Sequence, residues 1–370
     1  MGILNCCKTK KRVKGKKKEE DINRPRGVYL FQKDGLKKEM EMTGQDAYLT
    51  LGFEVENSYV RYIGVYDGHG ERGKEASNFL ASYTSTFLIN NRNIIKKWIT
   101  RELVAEKFTD LYKKAQKIFQ KNKDMYELSG TCAISALVID KLCFVINLGD
   151  SRAVIGSKNG DIKHAVQMST DQKPNNMEEQ ERIIKMGGEV SNDRDGGGGP
   201  YRVYRNNGDL APGLAIARSI GDLMAHECGV SEIPQISYKN IDSYDDFIVI
   251  GSDGIFDVMN SVEIVGYIFE RIEEVGKERI AEEVVEECRK RWIVINKFRE
   301  DAQYDKIMSD SSISAADKLR YQNQYNLMKQ SQSNLNNTTN TSGTGSQSNQ
   351  NQAYTYSSID DITCVILFFK

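Results

Sequence analysis

The stretch GVYDGHG, residues 64–70, places the end of an apolar run directly before a glycine-rich turn that carries an acid and an imidazole. Residues 61–65 have the composition of a strand. The glycines that follow let the backbone turn sharply and come close to a ligand. A carboxylate at a strand end, with a bare carbonyl beside it, suits Mg²⁺ or Mn²⁺. Taken alone, the stretch equally fits a tight turn whose Asp67 caps its own backbone.

The rest of the chain alternates between groups of strands and pairs of helices. Strands are predicted at 27–31, 47–54, 59–65, 131–140, 141–148, 153–157, 246–252 and 362–369, and helices at 71–91, 99–121, 178–186 and, as a pair, within 262–291. Paired helices do not connect single parallel strands. The order therefore predicts an α+β fold, with a central β-sandwich of two antiparallel sheets flanked by paired α-helices.

Composition places the chain among soluble globular proteins. Its 370 residues are 39% hydrophobic and carry a net charge of −1, which gives no overall attraction to nucleic acid. The seven cysteines are scattered and none has zinc-site spacing, so we expect free thiols in a reducing cytoplasm. No apolar run is long enough to span a bilayer. We expect a monomer.

Residues 1–22 form a basic tail with several features of a lipid anchor. Gly2 follows the initiator Met, Cys6 and Cys7 are candidates for palmitate, and eight Lys or Arg residues lie between positions 8 and 18. A myristoyl chain holds a protein only marginally, and stable anchoring needs a second acyl chain or a polybasic patch. We therefore expect myristate and palmitate at the cytoplasmic face of a membrane. The alternative is a solvated basic tail that targets the nucleus or binds RNA.

The folded domain is predicted to run over 23–370, with an insertion at about 298–353. The segment 330–352 consists almost entirely of Ser, Asn, Gln, Thr and Gly, and cannot bury enough surface to offset chain entropy. We expect it to be largely disordered. A strong strand pattern returns at 362–369, so this segment interrupts a domain and does not link two domains.

Acidic residues stand at the ends of several predicted strands. These are Asp46, Asp67, Asp253 and the pair Asp360-Asp361. Carboxylates at neighbouring strand ends can converge on one sheet edge, where cations must offset their repulsion. Without clustered Cys or His, two Mg²⁺ or Mn²⁺ ions are the expected occupants.

Eight motifs then follow one another in a telling order. They are DGHG (67–70), SGTCA (129–133), NLGDSRA (147–153), DQKP (171–174), ERIIKMGGEV (181–190), GLAIARSIGD (213–222), GSDGIFDVM (251–259) and DDIT (360–363). Together they resemble the metal-dependent Ser/Thr protein phosphatases of type 2C, the PPM family. The resemblance runs from about residue 27 to 370 and implies the same β-sandwich.

The resemblance assigns metal-site roles to these positions. It implies that Asp67 bridges two metals, that the carbonyl of Gly68 ligates one of them, and that Asp253 and Asp360 complete the other. Asp361 is the rival of Asp360 for this role. Asp46 is implied to hold water molecules beside the metals.

Other roles are implied for residues around the metals. His69 would be the general acid that protonates the departing Ser or Thr oxygen. Asp257 and Asp171 match a weaker third metal position. Gln45 stands where the family often has a metal-ligating Glu, and its amide can still accept from a water.

The phosphate-binding position departs from the family pattern. Many members carry an Arg five residues before the position of Asp46, and here that residue is Glu41, which cannot clamp a phosphate. Lys37, Lys38 and Arg72 are the nearby cations that could replace it.

Two further segments are interpreted as structural. We expect 218–222 to be a loop with an internal ion pair, and 150–152 to be turn chemistry.

The function predicted is hydrolysis of phosphoserine and phosphothreonine in proteins by direct attack of water, with no nucleic-acid partner. The alternative is a catalytically weak pseudophosphatase that acts as a binding or scaffold module, an alternative suggested by Gln45 and Glu41.

Overall fold

The computed structural model describes residues 25–35, 44–194, 199–206, 208–315, 318–319, 322–323, 326 and 359–370. Its strands are β1 (Val28–Lys33), β2 (Ala47–Val55), β3 (Ser58–Tyr66), β4 (Gly68–His69), β5 (Gly130–Thr131), β6 (Ala133–Ile139), β7 (Leu142–Leu148), β8 (Arg152–Asn159), β9 (Ile162–Gln167), β10 (Gly188–Ser191), β11 (Arg202–Arg205), β12 (Pro212–Leu214), β13 (Ile220–Gly221), β14 (Gln235–Asn240), β15 (Asp245–Gly251) and β16 (Ile362–Phe368). Its helices are α1 (Gly73–Asn91), α2 (Arg101–Gln120), α3 (Lys123–Tyr126), α4 (Met177–Lys185), α5 (Leu223–Glu227), α6 (Asp253–Phe256), α7 (Ser261–Val275) and α8 (Ile280–Ser309).

Two five-stranded antiparallel sheets form the centre of the fold. One has the order β1-β16-β15-β8-β9 and the other β14-β7-β6-β3-β2. Side chains of both sheets meet in one buried cluster, which includes Ile63 and Val65 from one sheet and Ile250 and Val365 from the other. The predicted α+β sandwich is confirmed.

Strand β3 shows why the sheets face as they do. Its side chains point alternately to the two faces of the sheet, and both faces are buried. Ile63 and Val65 point between the sheets, whereas Tyr62 and Tyr66 point into a second cluster that contains Leu80 of α1 and other residues of α1 and α2. Asp67 therefore leaves the end of a strand that is fixed on both faces.

Helices cover the outer faces of the sandwich. Tyr62 of β3 stacks on Phe108 of α2, with ring centroids 6.4 Å apart. On the other sheet, Phe247 of β15 packs against Phe269 of α7 at 5.1 Å. Helix α7 begins with a capping box in which the side chain of Asn260 accepts from the backbone N–H of residue 263.

Several small elements were not anticipated from the sequence. The short strands β10, β11 and β12 form a separate three-stranded sheet, and β13, β5 and β4 form another. Strand β14 extends the second large sheet at its edge. None of these segments carries enough apolar alternation to stand out as a strand.

The described residues divide into two compact units. The first comprises 25–34, 44–288 and 361–370, and the second comprises residue 35 and the described part of 289–360. In the second unit, the guanidinium of Arg299 lies 5.7 Å from the ring centre of Trp292. The predicted start of the insertion, Phe298, lies inside α8, and the segment 330–352 lies outside the described residues.

The basic tail at 1–22, with Gly2, Cys6 and Cys7, also lies outside the described residues. Among the helices that are described, none combines the length and the apolar character that a membrane crossing requires.

Candidate active site

The turn after β3 is closed by contacts that only small residues permit. The carbonyl of Asp67 accepts from the backbone N–H of Cys132 at 2.8 Å and from the hydroxyl of Thr131 at 3.0 Å. A Cβ on Gly68 would lie 2.2 Å from the carbonyl oxygen of Gly73, the first residue of α1. The helix can approach the turn this closely because both residues lack a side chain.

Gln45 ties this turn to two other segments. Its side-chain Nε2 donates to the carbonyl of Gly70 at 2.6 Å. Its backbone N–H donates to a carboxylate oxygen of Asp361 at 2.5 Å, and its carbonyl accepts from the hydroxyl of Ser77. The amide of Gln45 thus acts as a donor to the loop, which a glutamate at this position could not do.

Three carboxylates converge beside the turn. Asp67, Asp150 and Asp253 each offer an oxygen, and these oxygens all lie within 4.8 Å of one another. They come from the ends of β3, β7 and β15, and the side chain of Asp150 is buried. Like charges this close are costly without a cation to offset them. Oxygen ligands in this number fit Mg²⁺ or Mn²⁺.

The negative charge of this cluster shifts the pKa values of neighbouring groups. Burial alone would lower the pKa of Lys173, but the charge of Asp150, a hydrogen bond to it, and the charges of Asp253 and Asp257 raise that pKa overall. Burial raises the pKa of the Cys132 thiol, and the charges of Asp150, Asp67 and Asp253 add to the rise. Lys173 therefore supplies part of the positive charge that the cluster demands.

The other predicted ligands lie in different surroundings. Asp46 is buried and its Oδ2 accepts from the hydroxyl of Thr363 at 2.6 Å. Asp171 forms a bidentate ion pair with Arg152, at 2.8 and 2.5 Å. The structure thus brings Asp67 and Asp253 together as expected, and places Asp171 on an arginine.

Asp360 lies two residues before β16, next to Asp361. The carboxylate of Asp361 is engaged by the N–H of Gln45, as described above. Of the candidates for the phosphate-binding cation, Arg72 precedes α1 and its side chain is half-exposed, with its guanidinium 3.3 Å from Glu75. Lys37, Lys38 and Glu41 lie outside the described residues.

His69 is paired with a residue that the sequence did not single out. Its Nε2 lies 2.7 Å from Oδ2 of Asp222, whose side chain is 3% exposed. The expected ion pair within 218–222 is not formed, because Arg218 instead binds Glu179 of α4 with Nε and Nη2 at 2.9 and 2.6 Å. The loop interpretation of this segment was wrong on that point.

Sequence reasoning therefore missed Asp150 and Asp222. Asp150 follows the buried strand β7 as Asp67 follows β3, so the strand-end rule applied to the other acids would have found it. Asp222 carries no such signal, since it meets His69 across 153 positions of the chain.

Comparison with known proteins agrees with the motif resemblance. The family model described as Protein phosphatase 2C matches residues 27–294. The chain is 34% identical to "Probable protein phosphatase 2C 61" of Arabidopsis thaliana over 67% of its own length and 74% of that protein. It is 29% identical to the human "Integrin-linked kinase-associated serine/threonine phosphatase 2C" over 66% of its own length and 61% of that protein.

Solved structures agree in fold. A serine-threonine phosphatase 2C from Toxoplasma gondii matches with a TM-score of 0.61 at 16% identity, over 93% of this chain and 94% of that one. A Caenorhabditis elegans sex determining protein matches with a TM-score of 0.59 at 18% identity, over 93% of this chain and 64% of that one.

Proposed function

The chain belongs to the protein phosphatase 2C family and is a metal-dependent protein serine/threonine phosphatase, and from that premise we propose how its site works. Phosphoserine and phosphothreonine are hydrolysed by direct attack of water, and residues at the ends of β3 and β15 would hold two divalent ions. The observation that carries this proposal is the approach of the Asp67, Asp150 and Asp253 oxygens to within 4.8 Å of one another.

The ligand roles follow the residues in order. Asp67 would be shared by the two ions, the carbonyl of Gly68 would hold one of them, and Asp253 and Asp360 would hold the other. Asp150 adds a further carboxylate beside Asp67 and Asp253, and Asp257 is close enough to raise the pKa of the neighbouring Lys173. Two bound Mg²⁺ or Mn²⁺ ions supply an activated water and offset the charge of the phosphate.

The chain's own residues supply the remaining steps. His69 donates a proton to the serine or threonine oxygen as the phosphorus–oxygen bond breaks. Gln45 holds the turn in place through the carbonyl of Gly70, and Asp46 holds water beside the ions. The phosphate dianion is met by cations near the turn, of which Arg72 lies in the described part of the chain.

The test is hydrolysis of a phosphoserine peptide by the full chain in Mn²⁺, in excess EDTA, and by the Asp253→Ala variant in Mn²⁺. Turnover in Mn²⁺ alone supports the proposal. Equal turnover in the three reactions would overturn the metal mechanism. Absence of turnover in all three, with peptide binding retained, would instead favour the scaffold alternative.

We further propose that Gly2, Cys6 and Cys7 are acylated and hold the enzyme at the cytoplasmic face of a membrane. The support is in the sequence alone, where Gly2, two adjacent cysteines and a basic block occur together. Mass spectrometry of the N-terminal peptide from a eukaryotic host tests this, with Gly2→Ala as the control. An unmodified N-terminus and unmodified cysteines would contradict it.

A further inference from the structure

Asp222 is a buried acid whose carboxylate meets two side-chain donors at one oxygen. Its Oδ2 lies 2.7 Å from Nε2 of His69 and accepts from the hydroxyl of Ser219 at 2.5 Å. Ser219 is fully buried, so this donor holds the carboxylate oxygen from the protein side. The carboxylate therefore has one defined orientation, and the imidazole is the more exposed partner.

The backbone under Asp222 is held in a conformation that few residues adopt. Its φ is +44°, in the left-handed region, which residues other than Gly, Asn and Asp rarely adopt. Such strain persists only where the surroundings enforce it, and it is concentrated at functional sites. Here the N–H of Asp222 donates to the carbonyl of Ser129 at 2.9 Å.

The backbone of Gly221, the residue before Asp222, is held by a side chain of helix α2. Gln116 is buried, its Nε2 donates to the carbonyl of Gly221 at 2.9 Å, and its Oε1 accepts from the N–H of Gly221 at 2.8 Å. A Cβ on Gly130 would lie 2.2 Å from Oδ2 of Asp222, so the strand opposite leaves room for this one carboxylate oxygen. Gly130 is also the residue that pairs with His69 across β4 and β5.

These contacts form one continuous support from α2 to the imidazole. We propose that Asp222 is a positioning residue for His69, which orients the ring so that its other nitrogen, Nδ1, presents a proton to the departing alkoxide. This inference rests on the proposed function, in which His69 is the general acid. It adds a residue to which the family resemblance gave no role.

The step that Asp222 supports is balanced within the site. Water attacks phosphorus, the electron pair of the breaking phosphorus–oxygen bond goes to the serine oxygen, and His69 gives that oxygen a proton. The products are a free hydroxyl and inorganic phosphate, and His69 regains a proton from solvent. A tilted ring would leave the alkoxide without its proton, and would leave binding and attack unchanged.

This division of labour can be measured with two substrates. A phosphoserine peptide has a poor leaving group that needs the proton, whereas p-nitrophenyl phosphate releases a stable phenolate that does not. For Asp222→Asn, which tolerates the left-handed backbone, we expect kcat on the peptide to fall by about 10- to 100-fold. On p-nitrophenyl phosphate we expect kcat to change by less than about 3-fold, and we expect KM to be unchanged on both substrates.

Two further variants make the test specific. His69→Ala should show the same substrate dependence, and the double variant should lose little more than His69→Ala alone, because the two residues act as a unit. Asp245→Asn is the matched control, since Asp245 is also buried and accepts from a serine hydroxyl, that of Ser157, at 2.6 Å. Its effect on the two substrates should be equal.

A spectroscopic measurement covers the case in which Asp222→Asn folds poorly. The chain has three histidines, so the imidazole nitrogens of His69 can be assigned in the Mg²⁺-loaded protein with a His69→Gln reference. We expect neutral His69 to carry its proton on Nε2, facing Asp222. A ring protonated on Nδ1 alone would overturn the inference.

Equal losses on both substrates, or additive effects in the double variant, would also overturn it. These outcomes differ from failure of the proposed function. In that case the unmodified protein would show no turnover of the peptide, or a turnover that EDTA does not change.

Discussion

The two sides of the proposed active site differ in what stabilises their charged groups. On one side, the oxygens of Asp67, Asp150 and Asp253 lie within 4.8 Å of one another, and although burial lowers the pKa of Lys173, the charges of Asp150 and Asp253 raise it overall. On the other side, His69 ends a series of hydrogen bonds that begins at Gln116 and includes Asp222. The carboxylate side needs cations to offset its charges, whereas the protein itself satisfies the imidazole side.

This difference separates what metal supplies from what folding supplies. Repulsion among carboxylates is a standing cost that a divalent ion removes. A buried acid that accepts from two fixed donors has its orientation set at folding and needs no ion for it. Variants on the carboxylate side should therefore change metal dependence, and variants on the imidazole side should act whether or not metal is bound.

The largest effect is expected at Asp67. Asp67→Asn removes a charge from the residue proposed to bridge both ions, and kcat/KM on a phosphoserine peptide should fall by about 1,000-fold or more. Asp171→Asn is the comparison, because Asp171 pairs with Arg152, and it should retain far more activity. Steady-state kinetics at saturating Mn²⁺ measures both variants. Equal losses of kcat/KM would contradict the different roles given to Asp67 and Asp171.

Asp150 should change the metal requirement more than the maximal rate. Asp150→Asn lowers the charge of the cluster, so the Mn²⁺ concentration for half-maximal activity should rise on the order of 100-fold. Asp171→Asn again serves as the control and should leave that concentration nearly unchanged. A metal titration of initial rates measures both, and an unchanged midpoint for Asp150→Asn would remove Asp150 from the metal site.

The sequence predicted most of the carboxylate side of the site and little of the imidazole side. The carboxylate side was accessible because Asp67 and Asp253 each end a buried strand, and strand ends of one sandwich meet by geometry. Asp150 obeys the same rule, although the segment 150–152 was interpreted as turn chemistry. The sandwich itself was predictable for a similar reason, since alternating apolar runs specify which face of each strand is buried.

The imidazole side was out of reach because its contacts are not periodic. His69 and Asp222 are 153 positions apart, and nothing in the local pattern of either residue indicates the other. The left-handed φ of Asp222 is imposed by Gln116 and Ser129 from other elements. The small sheet of β10–β12 escaped prediction for a related reason, because its strands are short and pair locally without a long apolar pattern.

Gly130→Ala should weaken the imidazole side without changing the metal requirement. The new Cβ would lie 2.2 Å from Oδ2 of Asp222 and 2.5 Å from the carbonyl of Ile220, so something must shift. We expect the free energy of unfolding to fall by about 1–3 kcal/mol. The fall should be the same in buffer with Mn²⁺ and in Mn²⁺-free buffer with EDTA. Gly199→Ala is the matched control, since its Cβ meets nothing within 4 Å and should change stability little.

Urea unfolding followed by far-UV circular dichroism measures both glycine variants. The Gly130→Ala protein should also lose more activity on the phosphoserine peptide than on p-nitrophenyl phosphate, because Asp222 is displaced. If its loss of stability disappeared on chelation, the imidazole side would depend on metal, and the contrast between the two sides would fail.

The smallest effect is expected at Gln45, which joins the two sides. The family resemblance implies a metal-ligating glutamate at this position, yet Nε2 of Gln45 donates to the carbonyl of Gly70 at 2.6 Å. Gln45→Glu would place an acceptor against that carbonyl and lower the free energy of unfolding by about 1 kcal/mol. Gln235→Glu, at an exposed position of β14, should change it by less than about 0.5 kcal/mol. If Gln45→Glu instead bound Mn²⁺ more tightly and had unchanged stability, this position would be a metal-ligand position. A residue that only donates a hydrogen bond to the loop would not strengthen metal binding on becoming acidic.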